Sequence, residues 1–151
     1  MNVLFKKLNF KTQEVIHILN SPASFQAEIT DMKTYCDVKT TLNEDEKIEF
    51  VLFFATKQDE IEQNTAIFEK QSEGDVVIWF AYPKQSSKKY KCEFNRDTGW
   101  KLLGKLGFEP VRAVAIDEDW SALRFRRVSF IKIMTRSFAL SDEGKDKAGL
   151  K

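Results

Sequence analysis

Neither sign of charge is in surplus. The 151 residues hold 24 Lys and Arg against 23 Asp and Glu, a formal net charge of +1. That balance excludes a global field for nucleic acid or a membrane surface, and leaves only a local patch to serve either. Histidine occurs once, so Ser-His-Asp or Cys-His chemistry would have to pass through His17. His17 lies inside an apolar segment and reads as a packed or edge residue. The two cysteines, Cys36 and Cys92, cannot make a four-ligand zinc site with one histidine unless carboxylates join them. Two widely spaced thiols read as reduced residues of an intracellular chain. Long apolar runs are also missing. The longest, residues 50–55, is far too short to span a bilayer. Lys6, Lys7, Asn9, Lys11 and Gln13 interrupt the first twenty residues, so no secretory signal is read there. The expected location is cytoplasmic, with no membrane partner.

What remains is a mixed chain, 42% apolar and 31% charged, of the size of one domain. Residues 14–19 are apolar and β-branched, a buried strand. Asn20-Ser21-Pro22 breaks it, with Ser21 placed to cap a helix and Pro22 suited to its first position. Phe25, Ile29 and Met32 then mark one helical face. A weaker strand follows at 35–40, and a polar turn at 43–46. Residues 48–55 carry the strongest strand signal, apolar on both faces as a central parallel strand requires. Thr56 and Asp59 form a capping-box-like start, and Ile61, Thr65 and Phe68 continue as a helical stripe ending near Gly74. A buried strand occupies 75–81 and stops at Pro83. A basic loop covers 84–91. Asn95 or Asp97 can cap a short helix carrying Trp100, Leu103 and Leu106. Strands at 111–116 and 123–128 are joined by a short acidic turn and should pair antiparallel. The expected domain is 1–140, with 141–151 as a polar tail.

Strands alternating with helices imply a single α/β, Rossmann-like domain of three layers. Its sheet is mostly parallel, with an antiparallel C-terminal hairpin. In such sheets ligands bind beyond the carboxyl ends of the strands. A phosphate loop needs closely spaced glycines after the first strand. None of the six glycines lies in Asn20-Ser21-Pro22-Ala23-Ser24, where the helix start still offers free N–H groups. Gly99 to Lys105 approaches a Walker spacing, but Leu106 stands where magnesium needs a hydroxyl, and the stretch reads as helix. Ser86 and Lys89 have a Ser-x-x-Lys spacing without its partner motifs. Tyr82-Pro83-Lys84 leaves a core strand with an aromatic, a proline and a cation, a group suited to stacking a base and holding a phosphate or carboxylate. Asp117-Glu118-Asp119 reads as a turn rather than a metal site. Arg124, Arg126, Arg127, Lys132 and Arg136 form a basic stretch over 124–136 that could touch RNA. Strand alternation puts Arg124 and Arg126 on one face, with Leu123, Phe125 and Arg127 on the other.

Leu19-Asn20-Ser21-Pro22, Trp79 through Lys84, Asn95-Arg96-Asp97 and Asp117 through Phe125 resemble words found in small uncharacterised bacterial proteins filed as a domain of unknown function. Trp120-Ser121-Ala122-Leu123-Arg124-Phe125 is the most specific of them. That family implies no catalytic assignment. The element order is also similar to a shortened class I methyltransferase. In that comparison 14–19 is the first strand, Asp37 sits near the ribose-binding acid, and Gly74 precedes the strand after a long helix. The glycine-rich turn of those enzymes is replaced by residues 20–24. The resemblance therefore implies the fold, and equally a relic that has lost S-adenosylmethionine, so the cofactor stays unassigned.

Three functional readings follow. The first is a non-catalytic binding or interaction module, since no nucleophile–base pair is evident. The second is a methyltransferase-like protein binding a nucleotide or small anionic molecule through Asn20, Ser21, Ser24 and Lys84, with Arg96 and Asp97. The third, RNA binding by 124–136, is disfavoured by the one-faced pattern of the arginines.

Overall fold

The computed structural model describes residues 2–94 and 99–131. In chain order the elements are α1 (Val3–Lys7), β1 (Val15–Leu19), a 3-10 turn (Ala23–Phe25), α2 (Gln26–Met32), β2 (Asp37–Lys39), β3 (Phe50–Phe54), α3 (Gln58–Lys70), β4 (Val77–Pro83), α4 (Lys101–Lys105), β5 (Phe108–Ala115), β6 (Trp120–Arg127) and a second 3-10 turn (Val128–Phe130). The strands form one sheet in the order β2-β1-β3-β4-β6-β5. β2, β1, β3 and β4 run parallel, and β6 lies antiparallel between β4 and β5. This is the Rossmann-like arrangement that the alternating pattern implies, with β6 inserted into the sheet rather than added at its edge. No helix among the described residues is long and apolar enough to cross a membrane.

Burial follows the pleat. Ile16, Ile18, Phe50, Leu52, Phe54, Val77, Trp79 and Ala81 face one layer, where α1 and α2 contribute Phe5, Leu8, Phe25, Ile29 and Met32. Val51, Phe53, Ile78, Phe80, Leu123 and Phe125 face the other, packed against Ile61 and Phe68 of α3 and Trp100 and Leu103 of the α4 region. All five residues of β3 and all seven of β4 are buried. Continuous apolar strands can be satisfied only where helices cover both sides. The outer strands solve their open edges differently. β2 is three residues long. β5 carries a bulge between Pro110 and Arg112, at an edge where a proline without an N–H is tolerated.

Several local expectations need correction. The helical connection after β1 is not capped by Ser21: its 3-10 start has Pro22 at the cap position and no side-chain cap. The α3 start uses Glu60 rather than Asp59. Its Oε1 accepts from the Thr56 and Lys57 N–H groups at 3.0 Å each. That helix stops at Lys70, short of Gly74. α1 was not anticipated at all. Asn2 Oδ1 caps it by accepting from the Phe5 N–H, and Phe5 and Leu8 anchor it to the core. The proposed caps Asn95 and Asp97, and the tail 141–151, lie outside the described residues.

β2 and β3 are joined by a loop instead of a helix. His17, fully buried, holds that loop down: its Nε2 lies 3.0 Å from Glu46 Oε2. Lys39 Nζ donates to the same oxygen at 2.9 Å, and Glu46 Oε1 accepts from the Asn43 N–H. The single histidine is thus a packed residue tied to structure. The Lys39 ammonium, then His17, lowers the Glu46 carboxyl to about 2 from 4.5. A carboxylate depressed in the folded state stabilises above its ordinary value and loses that contribution as the pH falls through the depressed one.

Trp79 Nε1 donates to the buried Leu8 carbonyl at 2.8 Å. Trp79→Phe leaves that oxygen unpaired and is expected to cost about 1–3 kcal/mol in urea unfolding. Glu46→Gln is expected to melt lower than wild type at neutral pH, with the two curves converging as the pH is taken from 4.5 toward 2. A gap that stays constant over that range removes the ion cluster as the cause.

Candidate functional site

Strand order reverses between β1 and β3, because β1 leads outward to β2 and β3 leads the other way to β4. A crevice for ligands is expected above that point. Here it is spanned by side chains. Asn20 sits at φ 58, the left-handed region that asparagine tolerates better than most residues. This turns its amide across the gap, where Nδ2 donates to the Phe54 carbonyl at 2.8 Å and to Glu60 Oε2 at 3.2 Å. Ser21 is half-buried and Ser24 exposed on the same connection. α2 is seven residues long and has no side-chain cap. Of the residues expected here, Asn20 is used to fasten β1 to β3 and α3.

The next loop is fastened in turn. The Glu93 N–H donates to the Thr56 carbonyl at 3.0 Å, and Glu93 Oε2 accepts from the Gln58 N–H at 2.9 Å, at the start of α3. Gln58 Nε2 donates to the Gly99 carbonyl at 2.9 Å. Gly99 has φ 92, and a Cβ there would come within 2.8 Å of Phe94.

Open space appears one strand further along. Beyond the carboxyl end of β4 lies a crevice of about 490 Å³ lined by Pro83, Lys84, Ser87, Tyr90, Lys91 and Glu93, among others. The β5–β6 turn holds its wall. The Lys84 N–H donates to the Asp119 carbonyl at 2.8 Å, and Ser87 Oγ donates to Asp119 Oδ1 at 2.9 Å. The Tyr90 ring lies 4.9 Å from that of Trp120, whose Nε1 is buried with no hydrogen-bond partner among the described residues. The acidic turn is a turn, as read: Asp117 Oδ1 accepts from the Asp119 and Trp120 N–H groups at 2.8 Å each. Among the described residues no cluster of His, Cys, Asp and Glu could hold a metal ion. Burial raises the thiols of Cys36 and Cys92 above the ordinary cysteine value. Arg96 and Asp97 lie outside the described residues. Lys84 therefore enters a crevice, Asn20 closes one, and the two groups are separate. Tyr82, expected to stack a base, is 6% exposed and packs against Phe94 and Trp100; Tyr90 and Lys91 of the same basic loop border the crevice instead, and a polar loop carries no period to mark which of its side chains turn inward.

No family model and no curated protein matches the sequence. Solved structures do resemble the fold. A SAM dependent methyltransferase from Aquifex aeolicus is 10% identical and aligns over 81% of this chain and 86% of its own, with a TM-score of 0.53. The N-methyltransferase NodS from Bradyrhizobium japonicum is 10% identical over 75% and 84% of the two chains, with a TM-score of 0.49. Magnesium protoporphyrin IX methyltransferase from Synechocystis is 12% identical over 82% and 74%, with a TM-score of 0.46. The fold is methyltransferase-like, and that statement rests on the first of these.

S-adenosylmethionine, which such a fold implies, does not fit the residues at the switch point. The Asn20 bridge crosses the space between β1 and β3. Asp37, expected near a ribose, is the first residue of β2, opposite Val15 at the amino end. The last residue of that strand is Lys39, already engaged by Glu46.

The bridge can be tested directly. Asn20→Ala loses both hydrogen bonds and puts a Cβ without a compensating amide in the left-handed region. It is expected to cost about 2–3 kcal/mol in urea unfolding, and Asn20→Gly less, since glycine adopts that φ freely. Equal and negligible costs would mean that the bridge holds nothing.

Proposed function

We propose that the chain is a methyltransferase-like protein that binds a small anionic molecule, of nucleotide type, in the crevice beyond β4. The observation that carries this reading is that crevice of about 490 Å³, with Lys84 and Lys91 on its walls beside the Tyr90 ring, and with Ser87 holding the wall through Asp119 and the Tyr90 N–H. Small-molecule sites have volumes of this order and a few convergent polar groups. Ammonium groups suit a phosphate or carboxylate, and a phenol ring suits a flat base. The fold adds support, because open α/β sheets place ligands at the carboxyl ends of their strands. The reading is one of binding. The only imidazole lies under the loop after β2, engaged by Glu46. An interaction module without a small ligand is the second reading, favoured by the loop-to-loop ties that fill the switch point.

Thermal melts of the full chain with adenosine monophosphate, adenosine and S-adenosylmethionine separate the two. A ligand at a hundredfold excess over its Kd is expected to raise Tm by about 5–10 °C for a domain of this size. Adenosine monophosphate should give that rise in wild type and lose most of it in Lys84→Ala. No rise with any of the three, or a rise untouched by Lys84→Ala and Lys91→Ala, overturns the proposal.

A further inference from the structure

The face of the β5–β6 hairpin that carries Arg124 presents a second cationic feature, toward the amino end of β4. Arg124 stands opposite Trp79 on one side and Arg112 on the other. It is 9% exposed, and its Nε is buried with no hydrogen-bond partner among the described residues. A buried guanidinium N–H left unpaired is costly, and native structures rarely leave one without purpose. Arg126, two residues on and on the same face, is already satisfied. It donates to both oxygens of Asp75 at 2.7 Å, and Glu109 stands opposite it on β5. Among the described residues, Asp75 and Glu109 are the acidic groups placed against this face, and both lie at the Arg126 end. Arg112, exposed on the edge strand, and Arg124 remain as adjacent cations, their side chains springing from directly opposed positions where Cβ atoms are about 5 Å apart. Burial, together with Arg126 and Arg112, lowers the Arg124 guanidinium below its ordinary value, and Asp75 opposes this. An arriving anion would relieve that burden.

We infer that Arg112 and Arg124 form an oxyanion site for a single compact phosphate, separate from the crevice beyond β4. Guanidinium forks match phosphate oxygens by paired N–H donors. A single phosphate fits better than an RNA strand. Strand binding needs exposed rings on which bases stack, whereas Trp79 and Trp120 beside this face are 0% and 4% exposed.

The test uses the full chain and inorganic phosphate, against chloride at matched ionic strength. Calorimetric titration should show saturable binding, and Tm should rise by about 3–6 °C at tenfold excess over Kd. The rise should persist in Lys84→Ala, which separates this site from the crevice. It should disappear in Arg112→Gln, a surface change that leaves the core intact. It should weaken in Arg124→Lys, which keeps the charge and loses the fork. No phosphate-specific rise, or one that survives Arg112→Gln, overturns the inference. So does tight binding of a single-stranded RNA oligomer with a steep salt dependence at the same arginines, which would assign the face to a polynucleotide instead.

Discussion

β4 is the member on which the rest is assembled. Its seven residues are all buried, and successive side chains go to opposite layers. Phe80 on one side lies within about 6 Å, ring to ring, of Phe53, Phe68, Trp100 and Phe125. It therefore joins α3, the α4 region, β3 and β6 through one side chain. Trp79 on the other side reaches the Leu8 carbonyl and so ties α1 to the same strand. Aromatic rings supply the largest burial per residue and prefer the tilted and edge-on contacts seen here. The parallel half of the sheet and the antiparallel half meet along β4, and a single cross-section of the core spans both.

The carboxyl edge built on this frame is divided. Over β1 and β3 the connections are laced together: Asn20 closes onto the Phe54 carbonyl and onto Glu60, Glu93 onto the Gln58 N–H, and Gln58 onto the Gly99 carbonyl, while Glu60 also holds the backbone of its own connection. Over β4 the chain is open. A fold whose generic ligand position lies at the switch point here spends that position on holding itself together. The crevice beyond β4 lies one strand away from that position, toward the hairpin. Fold and site are therefore separate statements, and likeness to the Aquifex methyltransferase speaks only to the first.

Much of the frame was legible because it is periodic. Residues 48–55, apolar throughout, could only be a strand covered on both sides. Phe25, Ile29 and Met32 at helical spacing are the buried residues of the first helical connection and α2. The short turn at 117–119 forced antiparallel pairing of its flanking strands. What escaped was decided by tertiary contact. α1 is five residues long, too short for a period, and is held by Phe5 and Leu8 against the sheet. The cap of α3 fell to Glu60 because that carboxylate faces the Asn20 amide as well as its own backbone. Asp37 looked like a carboxyl-end acid by sequence position, but β2 is so short that one residue decides which end it occupies. Asn20 follows β1 at the switch point, and its amide there bridges to the Phe54 carbonyl and to Glu60. An amide beside a backbone carbonyl at 2.8 Å serves the protein before it serves a ligand.

The insertion of β6 between β4 and β5 has a consequence for how the chain tolerates cutting. Sequence order would allow residues after 115 to be removed as a trailing extension. Spatial order does not: β5 touches the sheet only through β6. Loss of 120–127 would strand β5 and strip the hydrogen-bonding partner from one whole side of β4, exposing a fully buried strand along its length. β6, late in the sequence, is therefore a keystone of the interior, and the domain should be trimmed from its β2 margin long before it is trimmed from this one.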